Sequence, residues 1–292
     1  MATKQVILVT GASTGFGRLF TETLARNGHT VFATMRDPKG KNAKNAAEIE
    51  ALAKQESLPI HVLDLDVTKD DSVDKAVRAV VDKAGRLDVV INNAGFVTAG
   101  LTETITTEQA QRQFDTNFFG ALRMNRAALP QMKRQGNGLL LHVSSGAGRL
   151  AIPALGVYCA SKFALEALAE VYRYELAALG IDSVVIEPGA YPTPIMVDFV
   201  PGEDSARRNG YGEVAGVPDK VGASLAGSKA NSQDIADSVL RIIETPPGQR
   251  QLRYRVSGSD STVARINSVT VEVQAQFIES FGLTATTTFK AH

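Results

Sequence analysis

The stretch VTGASTGFG, residues 9–17, decides the fold, because it satisfies two templates that cannot both hold. Gly11-Ala12-Ser13-Thr14-Gly15 spells G-x-S-x-G, the elbow that presents a serine nucleophile in a hydrolase. Gly11, Gly15 and Gly17 also make a glycine-rich turn of the kind that holds a pyrophosphate at a helix start. The elbow needs a downstream acid and histidine, and an oxyanion donor from a loop on an earlier strand. Only one strand's length precedes Ser13, so no earlier loop is expected. Of the histidines, His29 and His61 are poorly placed, His142 lies inside an apolar run and His292 ends the chain. The cradle needs only local context: an apolar run (QVILVT, 5–10), glycines for the turn, and a helix beginning near Gly15. It is not a P-loop, because no Gly-Lys-Ser/Thr follows at the required spacing. Ser13 is therefore expected to be a turn or phosphate contact.

Outward from that turn, short runs rich in Val, Ile and Leu recur at 5–10, 30–34, 60–65, 87–92, 139–144 and 182–187. Most lack polar alternation, which predicts strands buried on both faces. Helical segments at 16–27, 43–56, 70–85, 108–134 and 158–179 lie between them. The alternation predicts an α/β fold: a doubly wound parallel sheet of Rossmann type, with helices on both faces. We expect one domain over 1–292, interrupted by a Gly-, Pro- and Ser-rich insertion at about 190–230. An insertion of that length reads as a binding loop or lid. A helix at 231–244, a seventh strand at 251–256 and a C-terminal extension over 263–292, helical to 281, complete the pattern. The tail TATTTFKAH reads as frayed.

Composition narrows the function. Lys+Arg and Asp+Glu are both 31, so no global field draws the chain to nucleic acid or an anionic membrane. No run approaches the ~18 apolar residues of a membrane span, and the N-terminal apolar run is too short for a signal peptide. The sole cysteine, Cys159, excludes an intrachain disulfide and suits a reducing compartment. A cytoplasmic protein with no metal site is expected.

Thr10-Gly11-Ala12-Ser13-Thr14-Gly15-Phe16-Gly17 has the spacing T-G-x-x-x-G-x-G rather than G-x-G-x-x-G, and so resembles the cofactor motif of the short-chain dehydrogenase/reductase family. The family's other motifs follow in order over about residues 5–193. Asn92-Asn93-Ala94-Gly95 matches NNAG, and Asn117 in NFFG matches the catalytic asparagine. Ser145 precedes Tyr158-Cys159-Ala160-Ser161-Lys162, the Y-x-x-x-K signature, and Pro188-Gly189 with Thr193 resembles P-G-x-x-x-T. The resemblance implies a nicotinamide-dependent oxidoreductase with Asn117, Ser145, Tyr158 and Lys162 as its catalytic set. It also implies that Asn93, Ala94 and Gly95 flank the cofactor, and that Pro188, Gly189 and Thr193 close around the nicotinamide. Lys162 would further hold the nicotinamide ribose, and Asn117 would anchor a water in a proton relay.

The residue types suit that chemistry. Tyr158 and Lys162, four apart on a helix, share one face. A phenol near pKa ~10 is a poor base at neutral pH, and a neighbouring ammonium is expected to bring it down toward working pH. Ser145 would hold the substrate oxygen against Tyr158. Taken singly, each has a plain structural role: a packed Tyr–Lys pair, a turn serine, a capping asparagine. Together with the cradle they form a site. Cys159 reads as a small buried residue.

An acid ending the second strand favours NAD, and a nearby Arg accommodates the 2′-phosphate of NADP. That strand ends VFATMRD, with Met35 in the acid's place and Arg36 next. NADP is expected over NAD, with Asp37 either repelling a phosphate or pairing with Arg36. Thr14 would add a hydroxyl contact, Lys39, Lys41 and Lys44 are read as a solvated loop, and Asp66-Val67 resemble the family's adenine-contacting pair. Candidate pocket walls are Phe96, Val97, residues 146–157 and the insertion after Thr193, mostly apolar, with Ile152, Leu155, Val157, Tyr191, Ile195, Met196 and Phe199. YCASKFALEAL and VFATMRD resemble the hydroxysteroid- and retinol-dehydrogenase-like branch, which implies a bulky apolar ketone or secondary alcohol. A homodimer or homotetramer built on the helices at 108–134 and 158–179 is implied by the same resemblance. The rival readings are a cofactor-binding sensor with little turnover, an extended-branch sugar-nucleotide enzyme, and the hydrolase.

Overall fold

The computed structural model describes residues 3–193, 199–256 and 261–290. Two expected pocket residues, Ile195 and Met196, lie outside them, as does His292.

The chain opens β1 (Val6–Val9), α1 (Gly15–Arg26), β2 (Thr30–Met35), α2 (Ala43–Gln55), β3 (Ile60–Asp64), α3 (Asp70–Ala84), β4 (Val89–Asn92). A two-residue strand β5 (Thr98–Ala99) follows, then α4 (Thr107–Phe114), a π-turn at Asp115–Phe119 and α5 (Gly120–Gln135). Strand β6 (Gly138–Val143), α6 (Gly156–Leu176) and β7 (Ile181–Pro188) come next. Then come β8 (Val200–Pro201), α7 (Val217–Ala226), α8 (Gln233–Glu244), β9 (Arg253–Val256), α9 (Ser261–Ser280) and α10 (Thr284–Thr287).

Seven strands pair in parallel in the order β3-β2-β1-β4-β6-β7-β9. β1 and β4 are therefore neighbours whose following connections leave toward opposite sides of the sheet. That reversal opens a crevice beyond their carboxyl ends, the place where doubly wound sheets bind ligands. β1, β4, β6 and β7 are buried along their whole length, because both faces carry helices. On β1, Ile7 and Val9 face α1, α2 and α8 through Phe20, Leu24, Ile49, Ile235 and Val239. Leu8 faces the other way, into Val77 and Val80 of α3 and Met124 and Met132 of α5. Two apolar faces on one strand explain the missing alternation.

Three expectations need correction. The helix expected at 108–134 is two helices joined by the π-turn, and Asn117 lies in that turn, 2% exposed. A π-turn inserts one residue and rotates the side chains that follow. The insertion is partly regular: it carries β8, which pairs with β5, and α7. The tail is not frayed as far as Lys290: its N–H donates to the Ala177 carbonyl at 3.1 Å, and Phe289 packs on Gly248. Among the described residues no helix is long and apolar enough to cross a membrane.

Candidate active site

At the end of β1 the chain reverses into α1 through Gly11 (φ +67°) and Gly15 (φ +56°), a backbone region that disfavours a Cβ. Gly17 is needed for a different reason. A Cβ there would lie 2.3 Å from the Gly11 carbonyl oxygen and 2.6 Å from Asn93 Nδ2. Thr14, at the N-cap of α1, is exposed and makes no side-chain cap, and no acid lies in the first turn. The first turn of α1 therefore carries no side chain on its N–H groups, which suits an anion. Backbone that only glycine fits, packed beside a bare helix start, suits a dinucleotide pyrophosphate.

The connection after β4 is laced to this turn. The N–H groups of Asn93 and Ala94 both donate to Thr10 Oγ1 at 2.9 Å. Asn93 Nδ2 donates to the carbonyls of Thr10 (2.9 Å) and Gly11 (3.2 Å). A Cβ on Gly95 would stand 3.1 Å from Asn117 Oδ1, so Gly95 lets the π-turn approach. Asn117 Oδ1 accepts from the Phe96 N–H (3.1 Å), while its Nδ2 donates to the Phe96 carbonyl (3.0 Å) and Ser161 Oγ (3.1 Å). Ser161 Oγ in turn donates to the Tyr158 carbonyl at 2.8 Å. The asparagine amide thereby ties the loop after β4 to α6.

Tyr158 and Lys162 lie one turn apart on α6, both buried. Lys162 Nζ donates to the Val143 carbonyl at 2.8 Å and sits 5.8 Å from the Tyr158 ring centroid. Ser145 has extended backbone, its Oγ accepts from the Ala147 N–H at 3.1 Å, and it hydrogen-bonds the Tyr158 phenol. Burial pushes the Tyr158 phenol up to about 12, the Ser145 bond pulling the other way. Burial lowers the Lys162 ammonium to about 8, with Glu166 opposing. The expected lowering of Tyr158 by Lys162 is therefore not what the protein's own groups produce. Loss of water around the phenol dominates, and the ammonium is bonded to a backbone carbonyl rather than to the phenol oxygen.

Pro188 and Gly189 end β7, where the Gly189 N–H donates to the Val256 carbonyl at 3.0 Å. Thr193 is 5% exposed, and its Oγ1 has no partner among the described residues, as suits a group waiting for a polar ligand. At the other end of the crevice Arg36 is exposed, directly after buried Met35. Asp37 does not pair with it. Asp37 (φ +47°) donates its N–H to Asp64 Oδ1 at 2.9 Å, and its Oδ2 accepts from the Lys41 N–H at 2.8 Å. Asp66 Oδ1 accepts from the N–H (3.0 Å) and hydroxyl (2.8 Å) of Thr68, and Val67 packs on Gly120.

Tyr158, Lys162 and Ser145 line a cleft of about 970 Å³, open at its mouth, together with Phe16, Asn93, Gly95, Pro188, Gly189 and Thr193. Its far wall is apolar: Val97, Leu150, Ile152, Leu155, Tyr191 and Phe199. Phe96 is absent from that lining. Cys159 is buried beside it, Sγ accepting from the Ile152 N–H at 3.3 Å. Leu225 also lines the cleft, from within the insertion expected to wall it, while Arg255 and Val263 line it without a signal in the sequence. Both of the latter lie far along the chain on elements whose docking no local pattern reveals. Glu166 went unnoticed too, although its four-residue spacing after Lys162 was a legible signal.

The family model for short chain dehydrogenases matches residues 5–204. The uncharacterized oxidoreductase YusZ of Bacillus subtilis is 36% identical over 259 residues, 87% of this chain and 89% of that protein. Retinol dehydrogenase 8 of Homo sapiens is 33% identical over 271 residues, covering 88% of this chain and 84% of its own. A short-chain dehydrogenase structure from Streptomyces avermitilis superposes with a TM-score of 0.76 at 28% identity, over 98% of this chain and 100% of that one. Similar structures at 25% identity include an actinorhodin polyketide ketoreductase with NADPH (TM-score 0.72, 88% of this chain and 98% of that one). A 3-ketoacyl-(acyl-carrier-protein) reductase of Brucella melitensis, complexed with NADH, gives 0.70 over 87% and 97%.

Proposed function

The chain belongs to the short-chain dehydrogenase family, enzymes acting on CH–OH and C=O groups, and we propose that it reduces a hydrophobic ketone with NADPH, or oxidises the matching secondary alcohol, using Tyr158 as general acid–base. The observation that carries this reading is the convergence of Tyr158, Ser145 and Lys162 at the junction of the glycine cradle and an apolar cleft.

A nicotinamide dinucleotide, when bound, supplies or accepts the hydride. The chain's own residues do the rest. Gly11, Ser13, Thr14, Gly15, Phe16 and Gly17 would form the pyrophosphate seat, Asp66 and Val67 would contact the adenine, and Asn93, Ala94 and Gly95 would line the path between. Pro188, Gly189 and Thr193 would bound the nicotinamide end, and Lys162 would hold its ribose. Ser145 orients the substrate oxygen toward the phenol. With the phenol pushed up to about 12, Tyr158 stands protonated at neutral pH, ready to donate to the oxygen of a carbonyl being reduced. The protein's own groups thus favour the reductive direction. Asn117 holds α6 against the loop after β4 and completes the proton relay through Lys162.

NADP is favoured over NAD because Arg36 is exposed beside the ribose position, while the neighbouring acid, Asp37, is turned into its own loop. The apolar far wall favours a bulky hydrophobic substrate over a charged one. Exposed Phe119, Phe163, Val171 and Leu179 on the α4–α5 and α6 side support association into a homodimer or homotetramer. The test is NADPH oxidation, followed by absorbance, against steroids, cyclic ketones, quinones and long-chain aldehydes. Turnover confined to bulky apolar carbonyls is expected, and turnover only of small charged ones would overturn the substrate class.

A further inference from the structure

The stripe that places Tyr158 and Lys162 on one face of α6 continues to Glu166, again four residues on. Glu166 is 2% exposed, deeper than either. A carboxylate buried so far is costly without a partner, and an apolar side chain would fill the place more cheaply. Its Oε2 accepts from Arg253 Nε on β9 at 2.8 Å. Its Oε1 points the other way, toward the turn after β6. A Cβ on Gly148 would lie 2.6 Å from Ser144 Oγ and 3.2 Å from Glu166 Oε1, so glycine leaves room between them, and neither oxygen has a hydrogen-bond partner among the described residues. Ser144 is the residue before Ser145. The unpartnered Glu166 Oε1 thus lies near the strand end that presents Ser145, and the carboxyl stands one helical turn along α6 from Lys162.

Building on the dehydrogenase reading above, we propose that Glu166 is a positioning residue. Its buried carboxyl supports the Lys162 ammonium from one turn along α6, and Arg253 fixes it there. The charges around each group are consistent with this role. Facing Glu166 are Arg253 from β9, Glu187 from β7 and Arg149 from the turn after β6. Facing Lys162 are Tyr158 and Glu166 from its own helix and His142 from β6. Burial raises the Glu166 carboxyl above the usual carboxylate range, with the Arg253 guanidinium opposing. Burial and the charge of Glu166 push Glu187 up to about 7. Asn267 Nδ2, on α9, donates to Glu187 Oε2 at 2.7 Å. The bland alternative is that Glu166 and Arg253 merely rivet α6 to the edge strand. Glu170 allows the two to be separated: it accepts from Arg253 Nη2 at 2.6 Å, and so shares the rivet, but it lies one turn farther from Lys162.

The experiment compares wild-type protein with Glu166→Gln, Glu166→Asp and Glu170→Gln. It reads the pH profile of carbonyl reduction and the nitrogen NMR titration of Lys162, assigned with Lys162→Met. Removing the Glu166 charge is expected to lower the Lys162 titration and the alkaline limb of activity by about one pH unit. Glu166→Asp, which keeps the charge, is expected to restore most of that shift, and Glu170→Gln to leave both near wild type. A Lys162 titration unchanged in Glu166→Gln, or lowered equally in Glu170→Gln, overturns the proposal. If Glu166→Gln does not fold, Glu166→Ser is measured in its place: a Lys162 titration below that of Glu170→Gln supports the proposal, and equal values overturn it. The NMR titration needs no turnover. A wild type inactive toward every carbonyl would therefore refute the dehydrogenase reading while leaving the proposal independently tested.

Discussion

Asn93 and Gly17 meet across the glycine turn: the asparagine amide bonds the carbonyls of Thr10 and Gly11, and a Cβ on Gly17 would lie 2.6 Å from its nitrogen and 2.3 Å from the Gly11 oxygen. Neither neighbour can yield cheaply, since one is backbone and the other is pinned by two hydrogen bonds. Gly17→Ala is therefore expected to push the turn open. The predicted result is at least a ten-fold weaker NADP complex by fluorescence titration, with a stability loss of about 1–3 kcal/mol in urea. Unchanged affinity would mean the cradle holds no pyrophosphate.

Arg36 is the residue on which cofactor choice is expected to turn. A charge-assisted bond to a phosphate contributes about 1.5–3 kcal/mol. Arg36→Asp should thus lower the NADP-to-NAD ratio of kcat/KM by roughly ten- to a hundred-fold. Asp37→Asn, which tolerates positive φ, should leave the ratio within two- to three-fold, since Asp37 serves the turn at Lys41. Steady-state kinetics with both cofactors checks this, and an unmoved ratio in Arg36→Asp would relieve Arg36 of the role.

Asn117→Ala would strand the half-buried N–H and carbonyl of Phe96 and free Ser161. Each orphaned group costs about 1–3 kcal/mol. The urea midpoint should fall accordingly, and kcat should fall further than the cofactor Kd rises, because Tyr158 loses its anchor through Ser161. Equal wild-type stability would show that water replaces the amide.

The glycine turn, NNAG and Tyr158–Lys162 were legible because each is a short-range pattern whose spacing fixes its geometry. The sheet was legible because two buried faces per strand leave unbroken apolar runs. The π-turn at Asn117 was not, since one inserted residue leaves helical composition unchanged. The pH behaviour of Tyr158 was misjudged because desolvation depends on everything that covers the phenol, which no spacing reports. Arg253, Arg255 and Val263 reach the site or its support only through the seventh strand and the helix beyond it, by contacts across more than 80 residues.

His142 gives a stability prediction. Burial lowers its imidazole to about 3, with Lys162 adding to the effect, while the unfolded chain titrates near 6.5. Between those values the unfolded state binds the extra proton, so stability present above pH 6.5 is lost as pH falls toward 3. Urea midpoints measured from pH 7 down to pH 5 should decline more steeply in wild type than in His142→Gln. Parallel slopes would mean that His142 titrates normally.

The central claim is tested most directly by Tyr158→Phe, which removes one hydroxyl from the cleft and leaves the cradle untouched. NADPH affinity measured by fluorescence should stay within about three-fold of wild type, while single-turnover hydride transfer to a bulky ketone should fall by roughly 10²–10⁴-fold. Hydride transfer at the wild-type rate, with the cofactor bound, would contradict the account.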